Sequence, residues 1–291
     1  MFTDLKKLCM IYKKIDATKT HKKLTNMKSM KLATILNKMF YYLEYADVLS
    51  KQEDIENFNY YKYNIIISIG RNVMELFNIY EYFGEYGISK EEYALRQLCA
   101  DYHETLSIEK IDQGLKNYDA LKFNQFTMYF PSCNYQDWIP CNKVYQNSDE
   151  KWQKAFLKAR KCYYFARVSK KINLLPHALE SILYNIFSNY IHSFEMTLGY
   201  DITRGNQYMY AGYYQAILSI QVMILYSATV LKDYIARRNM KALLTKEESK
   251  YLQSLLTYAN IEKTLVQWKN KFDMNRIYED LLEPDTEDVS S

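Results

Sequence analysis

Ala211-Gly-Tyr-Tyr-Gln-Ala-Ile-Leu-Ser-Ile-Gln-Val-Met-Ile-Leu-Tyr-Ser-Ala-Thr-Val-Leu231 carries no charged side chain. A bilayer needs about 20 apolar residues, so the run is long enough to span one. Yet Gln215, Ser219, Gln221, Tyr226, Ser227 and Thr229 interrupt it. In hydrocarbon each of those groups would need a partner. The pattern therefore predicts the buried central helix of a helical protein, from about Gln207 to Arg238, rather than a membrane span.

The flanking sequence agrees. Only 7 Gly and 4 Pro occur in 291 residues, too few for the tight turns of a strand-rich fold. The chain reads as all-α, a bundle of about six or seven long helices with one aromatic-rich loop insertion. Apolar residues at helical spacing predict helices over about Ser29 to Lys51 and Asp54 to Tyr82. Ser89 and Glu92 form a capping box for a third, to about Gly114. Lys122 to Asn147, with Pro131, Pro140 and many aromatics, reads as the loop. Further helices are expected from Ser148 to Asn173, from His177 to Leu198, and from the capping box Thr245/Glu248 to about Phe272. The domain reading is a basic N-terminal segment (1–28), a single helical domain (29–282) and an acidic, disordered tail (283–291).

A net charge of +4 permits a nucleic-acid partner without requiring one. Five cysteines without pairing rhythm suit a reducing cytosol, and the N-terminus lacks a signal-peptide h-region. These features predict a soluble, cytoplasmic protein, not a membrane one. Cys133 and Cys141 lack zinc-ligand spacing. With no phosphate-binding glycine loop or nucleophile elbow, no cofactor is expected.

The helix beginning at His177 concentrates the polar signal. Ser181, Asn185, Ser188, His192 and Glu195 recur at steps of four, three, four and three, placing them on one face of an otherwise apolar helix. Such a line is either a lined cleft or a structural polar seam between helices. His192 is the side chain suited to proton transfer near neutral pH. Arg71 and Glu75, four apart on the second long helix, form an ion pair or offer a cation. Arg96 and His103 form a second Arg/His pair with six residues between them.

The run Tyr184-Asn-Ile-Phe-Ser-Asn-Tyr-Ile-His192, and Ile69-Gly-Arg-Asn-Val-Met-Glu75 before it, resemble the "Y…lS.yvH" and "R…E" helices of uncharacterised bacterial proteins related to the HEPN superfamily. The resemblance implies a helical bundle that binds or cleaves RNA, as a homodimer or with an antitoxin-like partner, in a toxin or phage-defence setting. It implies metal-independent ribonuclease chemistry at His192, with Ser188 in the family's polar position. The family's Arg would fall at Phe187, Ile186 or Asn185, so it is missing, and Arg71 is the substitute cation. The alternative is a non-catalytic interaction or scaffold protein.

Lys151, Lys154, Lys158 and Lys161 form a basic line on the helix that starts at Ser148, and Arg160, Arg167 and Lys171 a second. A line of this kind can follow a phosphate backbone, with Trp152 and Tyr164 placed to stack on bases.

Overall fold

The computed structural model describes residues 2–19, 27–51, 60–116, 131–159, 174–191 and 205–271. The protein is all-α. Among the described residues there are eleven α-helices, two turns of 3-10 helix and no strand. In chain order these are α1 (Phe2–Lys19), α2 (Met27–Lys51), α3 (Tyr60–Gly84), α4 (Lys90–Lys116), α5 (Ser132–Trp138), α6 (Lys143–Gln146), α7 (Glu150–Lys158), α8 (His177–Ile191), α9 (Gly205–Arg237), α10 (Lys246–Ser254) and α11 (Ala259–Lys271). The number exceeds the six or seven expected because short helices replace one expected loop and one expected long helix is two. The chain divides into two compact units, residues 1–25, 33–77 and 173–291 in the first and residues 26–32 and 78–172 in the second.

In the first unit α9 packs against α1, α8 and α11. Its segment Gly212–Arg237 is long and apolar enough to cross a membrane, yet 78% of its most apolar stretch is buried inside the protein. Several of its polar groups fasten it to its neighbours, while the buried Ser227 Oγ has no partner among the described residues. Ser219 Oγ donates to the carbonyl of Ile66 at 2.8 Å, Gln221 Nε2 to Thr264 Oγ1 at 2.9 Å, and Tyr226 OH to Glu180 at 3.0 Å. Buried hydroxyls and amides must find such partners in a dry interior. At the Ser219 contact α3 comes so close that a Cβ on Gly70 would lie 2.1 Å from Ser219 Oγ. Phe77 meets the ring of Tyr226 edge-on, centroids 4.5 Å apart.

Within the basic N-terminal segment, residues 2–19 form one helix with two faces; residues 20–26 lie outside the described residues. Leu5, Leu8, Ile11, Tyr12 and Ile15 are buried while Lys6, Lys7, Lys13 and Lys14 are exposed, the separation that 3.6-residue periodicity produces. Tyr12 stacks on Phe40 at 4.0 Å and donates to Asn37 at 2.6 Å. Two long-range contacts tie α1 to α10: Lys14 to Glu248 at 2.8 Å and Tyr251 OH to Asp4 at 2.9 Å. The capping box of Thr245 and Glu248 is formed. The single helix expected from there to Phe272 breaks after Ser254. Leu255 and Leu256 close α10 onto Tyr251 and Gln253, and Thr257 Oγ1 takes the amide of Ala259 to start α11.

The second unit is built on α4. Leu95, Cys99 and Tyr102 share one of its faces and pack with Tyr135, Ile139, Phe156 and Ala159. The expected loop from 122 to 147 is helical over most of 132–146; residues 122–130 lie outside the described residues. Pro131 sits at the N-cap of α5 and Pro140 in the first turn of the 3-10 helix Ile139–Cys141, where no helical N–H is needed. Glu109 accepts the amide of Ser132 at 2.8 Å, and Asn142 caps α6 through Val144 and Tyr145. The helix expected from Ser148 to Asn173 ends at Lys158, because Ala159 turns left-handed at φ 44°. Residues 160–173 and the tail 283–291 lie outside the described residues.

Many tyrosines are buried. Burial, reinforced by Glu180, raises the phenol of Tyr226, and burial with Asp16 raises that of Tyr12. Burial pushes Tyr93 up to about 12, and does the same to the thiols of Cys9 and Cys99. Groups with raised folded-state pKa hold their protons more tightly when folded. Their stabilisation is complete below the unfolded pKa, about 10 for Tyr, and is lost as pH rises above it. Thermal melts should therefore show Tm falling steeply above about pH 10. A flat profile to pH 12 would contradict this burial. Gly70→Ala should destabilise by about 1–3 kcal/mol through overpacking and the displaced Ser219 bond. Adding Ser219→Ala should restore part of that loss, so a strictly additive double-mutant cycle would count against the close contact.

Candidate functional site

Within the first unit, α3 presents Arg71 and Glu75 one turn apart, and α8 presents Tyr184 and Ser188 one turn apart. The four side chains meet. Arg71 Nε donates to Ser188 Oγ at 3.0 Å, and Arg71 Nη2 pairs with Glu75 Oε1 at 2.6 Å. Tyr184 OH donates to the same Glu75 oxygen at 2.9 Å and accepts from Arg71 Nη2. The guanidinium carbon lies 3.8 Å from the centre of the Tyr184 ring, a cation–π contact. Gly70 gives this arrangement its depth, since the close approach of α9 fixes the turn of α3 that carries Arg71.

Arg71 is 14% exposed. Its Nη1 has no partner among the described residues, so one edge of the fork remains available to an oxyanion. Partial burial and the Glu75 carboxylate raise the Tyr184 phenol, while Arg71 pulls it the other way. The phenol therefore stays a donor through neutral pH. Chemically the cluster can hold an anion on a cation steered by three neutral or acidic groups.

Of the polar stripe on α8, Ser188 reaches this cluster. Ser181 and Asn185 are exposed to solvent, so the described part of the stripe is not a single seam. His192 and Glu195 lie outside the described residues. Phe187, one of the three positions at which the resemblance would put an arginine, is fully buried in the core. Tyr184 received no role from the sequence, although its place four residues before Ser188 puts it on the same face.

Arg96 and His103 do not form a site together. Arg96 is 2% exposed and pairs with Glu85 at 2.6 Å and with Glu92, while also donating to the Tyr82 carbonyl. Glu92 turns to Arg96; the Ser89 hydroxyl still accepts the Glu92 amide at 3.0 Å. His103 Nδ1 lies 2.6 Å from the carbonyl of Ala159. Because a carbonyl only accepts, Nδ1 carries the proton, and His103 satisfies an orphan group at the end of α7.

Lys151, Lys154 and Lys158 are exposed on α7, and Lys154 pairs with Glu150. Lys161, Arg160, Arg167, Lys171 and Tyr164 lie outside the described residues. The left-handed Ala159 ends the helix on which Lys161 was expected to extend the line. Trp152 stacks on Phe156, centroids 6.0 Å apart, and packs against the core, so its ring is committed to folding rather than to bases.

No family model matches the chain, and neither the curated proteins nor the solved structures yield a match to it. The two arginine clusters thus stand on their geometry. Arg96→Leu, which strands two carboxylates and a carbonyl, should cost about 3–5 kcal/mol in chemical denaturation. A loss below about 1 kcal/mol would show that Arg96 is not the internal counter-ion of its unit.

Proposed function

We propose that this chain is a HEPN-like helical protein that binds or cleaves RNA, working in the cytoplasm in a toxin or phage-defence setting. The observation that carries the reading is the 3.0 Å bond from Arg71 to Ser188. It joins the two helices on which the resemblance rests. Ser188 stands four residues before His192 in the sequence, so the bond supports Arg71 as the cation that the local motif lacks. A guanidinium with a free edge steadies the charge that develops on a phosphate during transesterification, and a histidine moves the protons. The exposed lysines Lys151, Lys154 and Lys158 offer further phosphate contacts.

The competing reading, a non-catalytic interaction protein with a structural polar seam, draws support from Glu75. Its carboxylate already neutralises Arg71 at 2.6 Å.

One set of assays separates the two. Arg71→Lys and His192→Ala should each lower RNA cleavage by about 100-fold or more, in line with loss of one charge-stabilising or proton-transfer group, while the far-ultraviolet circular dichroism stays unchanged. Lys151→Glu with Lys158→Glu should weaken RNA binding across sequences and flatten its dependence on salt. Absence of both binding at low salt and cleavage by the unmodified protein would leave the scaffold reading.

A further inference from the structure

α1 and α2 pack together in the first unit through the stack of Tyr12 on Phe40 and a surface ion pair, Lys13 to Glu44 at 3.0 Å. Large apolar side chains surround that ion pair. On α2, Tyr41 and Val48 stand one turn to either side of Glu44, and Tyr45 one turn after Tyr41. On α1, Met10 stands one turn before Lys13. All four are out in solvent: Met10 is 62% exposed, Tyr41 68%, Tyr45 46% and Val48 54%. Single exposed apolar residues are ordinary, but a group of four on two packed helices marks a contact surface. The charge on it is positive. Lys13 is neutralised by Glu44 and Lys51 by Asp47. Lys6, one turn before Met10, and Lys38, one turn before Tyr41, are exposed and have no partner among the described residues.

A partner for this face must be both apolar and acidic. A second copy is apolar but not acidic, and a two-fold contact would set lysine against lysine. The chain itself holds the complement. Residues 272–291, which lie outside the described residues, contain seven Asp or Glu against one Arg. Among them Ile277, Tyr278, Leu281 and Leu282 recur at helical spacing. The segment follows Lys271 at the end of α11, and Gln267 of that helix borders the same cleft on α9 as Asp4 of α1. Its twenty residues, extended, span at most about 70 Å, well beyond the roughly 27 Å of α1. We propose that residues 272–291 dock on this face in cis. Ile277, Tyr278, Leu281 and Leu282 meet Met10, Tyr41, Tyr45 and Val48, and Glu279, Asp280 and Glu283 meet Lys6 and Lys38. The covalent link supplies an effective concentration on the order of millimolar, so even a weak contact is filled ahead of a dilute acidic partner. The docked segment thereby withholds a basic, apolar face from anionic polymers and surfaces. The proposal is independent of the RNA reading, since none of these residues belongs to the Arg71 cluster.

Hydrogen exchange on the full chain, read by mass spectrometry over residues 277–283, tests the docking, with a synthetic peptide of residues 272–291 as the undocked control. In the full chain those amides should exchange about 10-fold slower or more than in the peptide. Carbodiimide, which joins lysines to carboxylates in contact, should link Lys6 or Lys38 to Glu279, Asp280 or Glu283 within the monomer. Tyr41→Ser with Val48→Ser, and separately Lys6→Glu with Lys38→Glu, change exposed positions, so both variants should melt near the parent temperature. Each should bring the exchange to within about 2-fold of the peptide. Equal rates in full chain and peptide overturn the proposal. So does protection that both variants leave intact, because that places the segment elsewhere, and so do cross-links found only between two chains. Poly(U) or phosphatidylserine vesicles that bind the face while residues 277–283 exchange at the peptide rate assign it to another occupant and overturn the proposal as well.

Discussion

The approach of α9 to α3 at Gly70 is the constraint from which the first unit follows. The uncharged run of α9 is buried with several of its polar groups answered, and Ser219 is answered by a backbone carbonyl that is itself part of α3. That bond demands near contact of two backbones, and near contact demands a residue without a side chain. Gly70 meets the demand, and the next residue in the chain is Arg71. The same crossing that lets the central helix be buried thus fixes the position of the guanidinium. Packing of α9 on α1 and α11 then closes the unit round it. The second unit depends on a different device, the buried Arg96, which turns two glutamates and a carbonyl into a charge-balanced interior. Buried ion networks of this kind contribute less to net stability than to holding one arrangement.

Much of this was legible in the residues. The scarcity of Gly and Pro gave the class, and several of the polar residues within 211–231 mark where that helix is fastened to its neighbours. Helix starts announced by Ser89, Thr245 and Pro176 were found where side-chain chemistry put them. Other features were not legible, for physical reasons. Lysines in 1–28 masked an apolar stripe, because charge density says nothing about face. Prolines in 122–147 suggested a loop, although proline at a first turn starts a helix as readily as it stops one. Nothing in Ala159 announces a left-handed residue; the turn is held by the carbonyl bond to His103, a partner 56 positions away.

The candidate site was half legible. Spacing brought Ser188 to one face of α8 and Glu75 beneath Arg71, but spacing within a helix cannot say which helices face each other. That pairing of Arg71 with Ser188 is a tertiary fact, and so is the entry of Tyr184. Arg96 and His103 show the converse. Residues that match a spacing in the chain were consumed separately, one by carboxylates and one by a helix end.

The bond between Tyr251 and Asp4 has a consequence for how the protein is made. Its two ends are 247 residues apart, and α1 has an apolar face that only later-synthesised helices cover. At roughly 5–20 residues per second, that face leaves the ribosome about 12–50 seconds before α10 exists. α2 reaches Tyr12 early, through Phe40 and Asn37, but the part of the face that meets α9 and α10 must wait for the last helices of its own unit, while the second unit, nearly continuous in sequence, can close first. Order of synthesis and order of assembly run in opposite directions in this chain. The time for which that early surface stays uncovered is accordingly set by the rate of synthesis and not by the stability of the finished fold.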